Sequence, residues 1–390
     1  MASAGIISRH FVLAAGGTGG HMVPAHALAE ELVRRGHRIS LITDARGAKI
    51  PGLFAKADVH ILPAGRIAGG PLGWLKAARN IMAGRAMARR LYRDLRPAAV
   101  VGFGGYPAYP AVAAAHAMGI ATAVHEQNAV LGRVNRLLAG KVDAIATAYD
   151  EIDRLKPAHA NKVELVGNPV REEVLALRER AYPPLDGAFH VLVTGGSQGA
   201  TVLSQVVPEG LALLPEEVRS LLKVTQQCRA EDIEEVRARY AELGISAELA
   251  TYLPDMPAHL ATAHLVIGRA GASTIAELTA AGRPAILIPL PIATDDHQTA
   301  NAREMTKAGG ARMIPQTQFT PTELARQMEE LGLDQEKLAC AAAYARAVGR
   351  PDATRDLANL VERIGKTPAS DPLPVNVGKT APVPPGGAFA

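Results

Sequence analysis

Phe11-Val-Leu-Ala-Ala-Gly-Gly-Thr-Gly-Gly20 and His190-Val-Leu-Val-Thr-Gly-Gly-Ser-Gln-Gly199 are two copies of one pattern. In each, an apolar run of strand length stops at a cluster of glycines. An apolar helical stretch follows, His26 to Arg35 in the first copy. A continuous apolar run reads as a strand buried on both faces, as strands of parallel sheets are. Strand, glycine turn and helix together open doubly wound α/β domains. The copies lie too far apart for a solenoid repeat, so the pattern predicts two separate domains.

Other runs extend both halves. Ile39–Thr43, Ala98–Phe103, Ala121–His125 and Ala144–Ala148 read as buried strands in the first half. Ser220–Gln226, Leu265–Gly268 and Ala285–Pro289 do so in the second. Helical patterns lie between them, which predicts a parallel sheet in each domain. Asn168-Pro169 and Pro183-Pro184 mark a linker near residues 167–188. The expected division is an N-terminal domain over 1–170 and a C-terminal domain over 171–350, followed by a helix over 351–365. Residues 366–390, rich in Pro, Gly and Ala, read as a disordered tail.

The 390 residues are ample for two domains, and a 48% hydrophobic content fills two cores. No apolar run reaches the roughly 18 to 20 residues of a membrane-spanning helix. The N-terminal apolar run leads straight into a glycine loop, so a signal peptide is not expected. Cys228 and Cys340 are the only cysteines, which argues against a disulfide framework and for a reducing cytoplasm. Charge is unevenly divided. Residues 1–170 carry 21 Lys/Arg against 11 Asp/Glu, and residues 171–390 carry 21 against 27. The basic first half therefore faces something anionic, a membrane surface or a nucleic acid.

Glycines after a strand let the chain turn sharply and present backbone N–H groups at the next helix N-terminus. Those amides and the helix dipole attract a phosphate. Neither loop has the G-x-G-x-x-G or G-x-x-x-x-G-K-[ST] spacing, so a dinucleotide cofactor or ATP is not expected. His21 follows the first loop directly. A neutral imidazole there can accept a proton, as a general base must, or it can brace the loop by hydrogen bonding.

A series of motifs then runs through the chain in order. Gly16-Gly-Thr-Gly-Gly-His-Met-Val-Pro-Ala25, Gly102-Phe-Gly-Gly-Tyr106, His125-Glu-Gln-Asn128 with Gly132 and Asn135, and Asn168-Pro-Val-Arg171 fill the first half. Gly195-Gly-Ser-Gln-Gly-Ala200, Tyr252-Leu-Pro-Asp-Met256, Arg269-Ala-Gly-Ala-Ser-Thr-Ile-Ala-Glu277 and Asp296-His-Gln298 with Asn301-Ala302 fill the second. Over roughly residues 9 to 365 this series resembles the MurG family of N-acetylglucosamine transferases.

The resemblance implies the α/β GT-B architecture, two Rossmann-like doubly wound domains facing a deep cleft, with the last helix returning to the N-terminal domain. It implies transfer of N-acetylglucosamine from UDP-N-acetylglucosamine to the 4-hydroxyl of undecaprenyl-pyrophosphoryl-MurNAc-pentapeptide. Lipid I thereby becomes lipid II, with inversion at the sugar carbon, in cell-wall synthesis. Carried over by position, Ser197 would bind donor phosphate and Glu277 the ribose hydroxyls. The main chain at Leu253 would read uracil, and Ala272, Ser273 and Thr274 would line the phosphate and ribose side. Gln298 would bind the sugar hydroxyls, with Asn128 and Arg171 approaching from across the cleft. Thr18, Gly19 and Gly20 would sit near the donor sugar and the acceptor pyrophosphate. Several family members carry two glutamines where this chain has His297-Gln298, which leaves the contact at His297 open.

No Asp-x-Asp pair occurs, so neither a diphosphate-chelating metal site nor a cofactor is expected. Helix N-termini after Gly195–Gly199 and near Ala272–Ser273 would stabilise the leaving UDP. His21 is the first choice of catalytic base, with Glu126 and Asp44 as alternatives.

The stretch Gly70–Arg96 interleaves apolar and basic residues and holds the chain's only Trp. Leu72, Trp74, Leu75, Lys76, Arg79 and Met82 read as an anchor on an anionic membrane surface. From Gly84 onward the apolar positions are expected to pack inward. The resemblance implies a peripheral enzyme on the cytoplasmic face of the bacterial inner membrane, with cell-wall synthesis or division proteins as further partners. Two rival readings are another GT-B transferase and a nucleic-acid binder. The 4% aromatic content and the acidic second half argue against nucleic acid.

Overall fold

The computed structural model describes residues 8–17, 19–49, 54, 57–63, 70–196, 199–331 and 333–366. Its thirteen described strands form two all-parallel sheets. The first contains β1 (His10–Ala15), β2 (Arg38–Thr43), β3 (Asp58–Ile61), β4 (Ala99–Gly104), β5 (Ala121–Glu126), β6 (Ala144–Thr147) and β7 (Val163–Leu165), in the order β3-β2-β1-β4-β5-β6-β7. The second contains β8 (Phe189–Thr194), β9 (Leu222–Gln227), β10 (Ser246–Ala250), β11 (Leu265–Gly268), β12 (Ala285–Leu287) and β13 (Ala311–Met313), ordered β10-β9-β8-β11-β12-β13.

Both sheets reverse their winding beside their first strand, between β1 and β4 and between β8 and β11. Ligands of open α/β sheets bind at the carboxyl ends of the strands flanking such a reversal. The glycine loops leave β1 and β8 at those ends.

Every strand expected from apolar runs is present, within a few residues at its ends. The four that were not expected, β3, β7, β10 and β13, are the four sheet edges. The first glycine-loop helix, Gly19–Arg34, starts inside the loop rather than at His26 and carries Pro24 within it. Its first turn therefore contains Gly19, Gly20 and His21.

Between the sheets the chain crosses at Val166, which packs with the first core, and Val170, Val174 and Leu177, which pack with the second. It crosses back before the helix Ala353–Ile364. Leu357, Ala358, Leu360 and Val361 of that helix pack with Phe11 and Leu28 of the first core. The two crossings touch: at Gly167 (φ +92°) a Cβ would lie 2.8 Å from Arg350 Cβ and 2.9 Å from Ala353 Cβ. Glycine is required there by both conformation and space.

Candidate active site

At the end of β1, Gly16 leaves no room for a side chain, because a Cβ would meet the Pro107 ring at 2.4 Å. Gly17 adopts φ +88° and turns the chain into the helix. Thr18, expected beside the donor sugar, lies outside the described residues, and so do Ser197 and Gln198 of the second loop. Gly19 and Gly20 open the helix, and a Cβ at Gly19 would meet nothing within 4 Å.

The loop after β4 supports this corner. Gly104 has φ +99°, and a Cβ there would lie 2.9 Å from the His21 ring, so the imidazole rests on bare backbone. Gln127 Oε1 lies 3.0 Å from His21 Nδ1. His21 is thus held from two sides, at the switch point of the first sheet.

Glu126, the alternative base, is buried and saturated. Its carboxylate accepts from Asn128 N at 3.1 Å, Asn128 Nδ2 at 3.2 Å, Gly132 N at 2.7 Å and Asn135 Nδ2 at 2.9 Å. Four donors commit it to folding the 127–135 loop. Asp44 is committed likewise. Burial would raise its carboxyl, but hydrogen bonds from Gly47 and Arg46 and the Arg46 charge hold it below the ordinary range. A carboxylate so stabilised is a poor proton acceptor.

On the opposite domain the helix Ala272–Ala281 starts at Gly271, with no side chain capping its first turn. Ser273 Oγ is buried there without a hydrogen-bond partner. Free amides and an unpartnered hydroxyl at a helix N-terminus suit an anion. The helix His297–Lys307 fixes this terminus through the Ala270 peptide. Gln298 Oε1 accepts from Ala270 N at 3.2 Å and Leu290 N at 3.0 Å, and Asn301 Nδ2 donates to Ala270 O at 3.1 Å. Gln298 Nε2 is left able to donate to a ligand. His297 donates from Nδ1 to Thr294 O at 2.8 Å, which stiffens the turn preceding Gln298. Asp295 and Asp296 in that turn adopt left-handed φ of +57° and +52°, a conformation costly for residues with a Cβ.

Glu277 lies on the same helix as Ser273. Arg171 Nη2 and Nε donate to its Oε1 at 2.7 and 3.2 Å. Burial raises the Glu277 carboxyl above its ordinary range, and the Arg171 charge opposes that rise. These two residues, expected to approach the donor separately, face each other in this structure. Leu253 is buried beyond β10 beside the exposed Tyr252.

The domains meet through polar contacts that single-residue reading does not reveal. Buried Asn301 accepts from Ala129 N at 2.9 Å, and its Nδ2 lies 3.1 Å from Asn128 Oδ1. Asp295 pairs with Arg136 at 2.8 Å and Arg154 at 3.3 Å. Ala129, Val130, Ala148 and Tyr149 pack on Ala300. The motif Asn301-Ala302 is visible in the sequence, but its bridging role needs the three-dimensional contacts.

Comparison with known proteins assigns the arrangement. Residues 11–147 match the glycosyltransferase family 28 N-terminal domain, and residues 190–357 match its C-terminal domain. A protein of Zymomonas mobilis named UDP-N-acetylglucosamine–N-acetylmuramyl-(pentapeptide) pyrophosphoryl-undecaprenol N-acetylglucosamine transferase is 61% identical over 360 residues, 92% of this chain and 93% of its own. The chain belongs to the MurG family. An identically named relative in Erythrobacter litoralis is 62% identical, covering 94% of this chain and 93% of its own. The crystal structure of Acinetobacter baumannii MurG superposes with a TM-score of 0.71 at 30% identity, over 91% of this chain and 99% of that one. The MurG architecture is GT-B, and the chain is a glycosyltransferase.

In this MurG-family chain the stretch expected to anchor on a membrane is a single helix, Gly70–Leu95. Its inner face carries Ala77, Gly84, Ala88 and Tyr92. At Gly84 a Cβ would lie 2.7 Å from Pro63 O, so small residues let the helix pack closely. Trp74, Leu75 and Met82 are 66%, 70% and 64% exposed, with Lys76 and Arg79 exposed beside them. The Leu72 side chain lies outside the described residues. No described helix is long and apolar enough to cross a membrane.

Proposed function

We propose that this chain moves N-acetylglucosamine from UDP-N-acetylglucosamine to the 4-hydroxyl of MurNAc in undecaprenyl-pyrophosphoryl-MurNAc-pentapeptide, converting lipid I to lipid II with inversion. The observation that carries this reading is an uncapped helix N-terminus at Gly271 in one domain, tied to the other domain, which carries His21 on its first glycine loop. The two sides are joined by Asn301, which bonds to Ala129 and Ala270.

The donor diphosphate would lie against the first turn of Ala272–Ala281, with Ser273 and Thr274 near it and Ser197 at the second glycine loop. Glu277 would turn from Arg171 to the ribose hydroxyls, leaving the guanidinium for the diphosphate. The Leu253 backbone would read uracil, and Gln298 Nε2 would donate to a sugar hydroxyl. Asn128, Gly19, Gly20 and Thr18 would close the acceptor side.

His21 would take the acceptor proton on its outer ring nitrogen. The acceptor oxygen then bonds to C1 of the sugar as the bond from C1 to the UDP oxygen breaks, and the electron pair leaves with UDP. The helix N-terminus is preorganised for the charge that develops there. The proton ends on the imidazole.

The exposed Trp74, Leu75 and Met82, set among Lys76, Arg79 and the following arginines, support docking on the anionic cytoplasmic face of the inner membrane. Partners among cell-wall synthesis and division proteins would meet the enzyme there.

Incubation with labelled UDP-N-acetylglucosamine and lipid I in detergent tests the reaction. Label in lipid II is expected. Label in another lipid, or none, contradicts it.

A further inference from the structure

Behind His21 a buried chain of hydrogen bonds runs to the domain crossing. We propose that Gln127 and His125 are positioning residues that hold His21 in its Nδ1–H tautomer, leaving Nε2 as the proton acceptor. The proposal rests on the reading of His21 as the base.

Two backbone carbonyls decide the polarity of the chain. His125 Nε2 lies 2.9 Å from Gly167 O, which can only accept, so this nitrogen carries a hydrogen. His125 is fully buried, and burial lowers its pKa to about 4, against a raising hydrogen bond to Gly167, so the ring is neutral near pH 7. Its Nδ1 is then an acceptor. Gln127 places one terminal atom 2.9 Å from that Nδ1 and 3.1 Å from His125 O. Both neighbours accept, so this atom is the amide nitrogen, and the two hydrogens of Nε2 are both used. The other terminal atom, Oε1, can only accept, and it faces His21 Nδ1 at 3.0 Å. Nδ1 of His21 must donate. In the neutral ring the lone pair is then on Nε2.

The burial of Gln127 and His125 removes the water that could offer other partners. Asn135 Nδ2 also donates to His125 O at 3.2 Å and steadies the middle of the chain. Gly104 presses from the other side, so the ring is fixed in orientation as well as in tautomer. The far end is Gly167, which packs against Arg350 and Ala353 at the crossings between the domains. The chain of hydrogen bonds thus ends where the two crossings between the domains meet.

Without Gln127 a histidine at this position would exchange between tautomers, and part of the enzyme would present a hydrogen, not a lone pair, to the acceptor. The test is histidine 15N NMR of the whole enzyme, which reads each ring nitrogen as protonated or bare, with His21 assigned by its loss in His21→Ala. Wild type is expected to show His21 protonated at Nδ1 and bare at Nε2. Nε2–H in the wild type overturns the proposal. In Gln127→Met, of similar size, His21 is expected to show mixed tautomers, with kcat down by about tenfold and KM for both substrates nearly unchanged. Gln127→Glu keeps an acceptor for His21 Nδ1 but sets an oxygen against His125 Nδ1 and His125 O, so it is expected to keep the Nδ1–H tautomer of His21 with kcat below wild type; mixed tautomers in it overturn the proposal. An unchanged tautomer and kcat in Gln127→Met overturn the proposal. Wild-type kcat in His21→Ala overturns the base reading instead, and with it the catalytic meaning of the chain, even where the tautomer is as expected.

Discussion

Asn301 Oδ1 accepts from the backbone N–H of Ala129 at 2.9 Å, across the boundary between the two domains. Through the same amide, Nδ2 donates to Ala270 O, just before the uncapped N-terminus of the helix Ala272–Ala281. Removing this buried side chain leaves an N–H and a C=O without partners, each costing about 1–3 kcal/mol. Asn301→Ala is expected to lower the melting temperature and to reduce kcat/KM. Asn301→Asp keeps the acceptor for Ala129 but sets oxygen against Ala270 O, and is expected to do no better. Calorimetry and steady-state kinetics on both variants check this; an Asp variant that matches wild type contradicts it.

Arg171 and Glu277 make a pH-dependent pair. Burial raises the Glu277 carboxyl and Arg171 opposes the rise, so Arg171→Ala raises it further. A carboxyl with a raised folded pKa contributes fully at low pH, while protonated, and loses that contribution as pH rises through the folded pKa. The stability deficit of Arg171→Ala is therefore expected to be larger at pH 8 than at pH 5. Glu277 is 15% exposed but Arg171 is 35% exposed, so solvent screening limits the deficit to roughly 1–3 kcal/mol. Denaturant titrations at the two pH values measure it. Adding Glu277→Gln should flatten the difference.

Gly104→Ala separates backbone strain from displacement of His21. Both Gly104 (φ +99°) and Gly119 (φ +71°) have left-handed backbones, so an alanine at either costs about 1–2 kcal/mol of stability. A Cβ at Gly104 meets the His21 ring, whereas one at Gly119 meets nothing within 4 Å. Turnover is expected to fall by about tenfold or more in Gly104→Ala and to hold in Gly119→Ala. Equal turnover in the two variants would show that the ring's placement on bare backbone does not matter.

Membrane docking through Trp74 and Leu75, as proposed, is tested on vesicles. The wild-type chain should float with vesicles containing anionic lipid, and Trp74→Ser combined with Leu75→Ser should stay behind with little change in solution stability. Both side chains are exposed, so neither substitution opens a cavity. Equal flotation with neutral vesicles, or of the double variant, rejects the anchor.

The interior strands were legible because a strand covered on both faces must be apolar throughout, as Phe11–Ala15 and Leu265–Gly268 are. The edge strands were not. Asp58-Val-His-Ile61 and Ser246-Ala-Glu-Leu-Ala250 are largely open to solvent, so polar residues break the apolar run. The site divides in the same way. Glycine loops and the Ala272 helix start announce themselves locally, since their backbone chemistry is encoded within a few residues. The roles of Asn301, Gln127 and His125 depend on partners distant in the chain, at Ala129, His21 and Gly167. Glu126 illustrates the converse: the sequence offers it as an alternative base after His21, and only the fold reveals the four donors around its carboxylate.

The most direct test of the account is turnover of His21→Ala with UDP-N-acetylglucosamine and lipid I both saturating. A kcat lower by about a hundredfold or more is expected, with donor affinity close to wild type and the fold intact by circular dichroism. Near-normal turnover in that variant would contradict it.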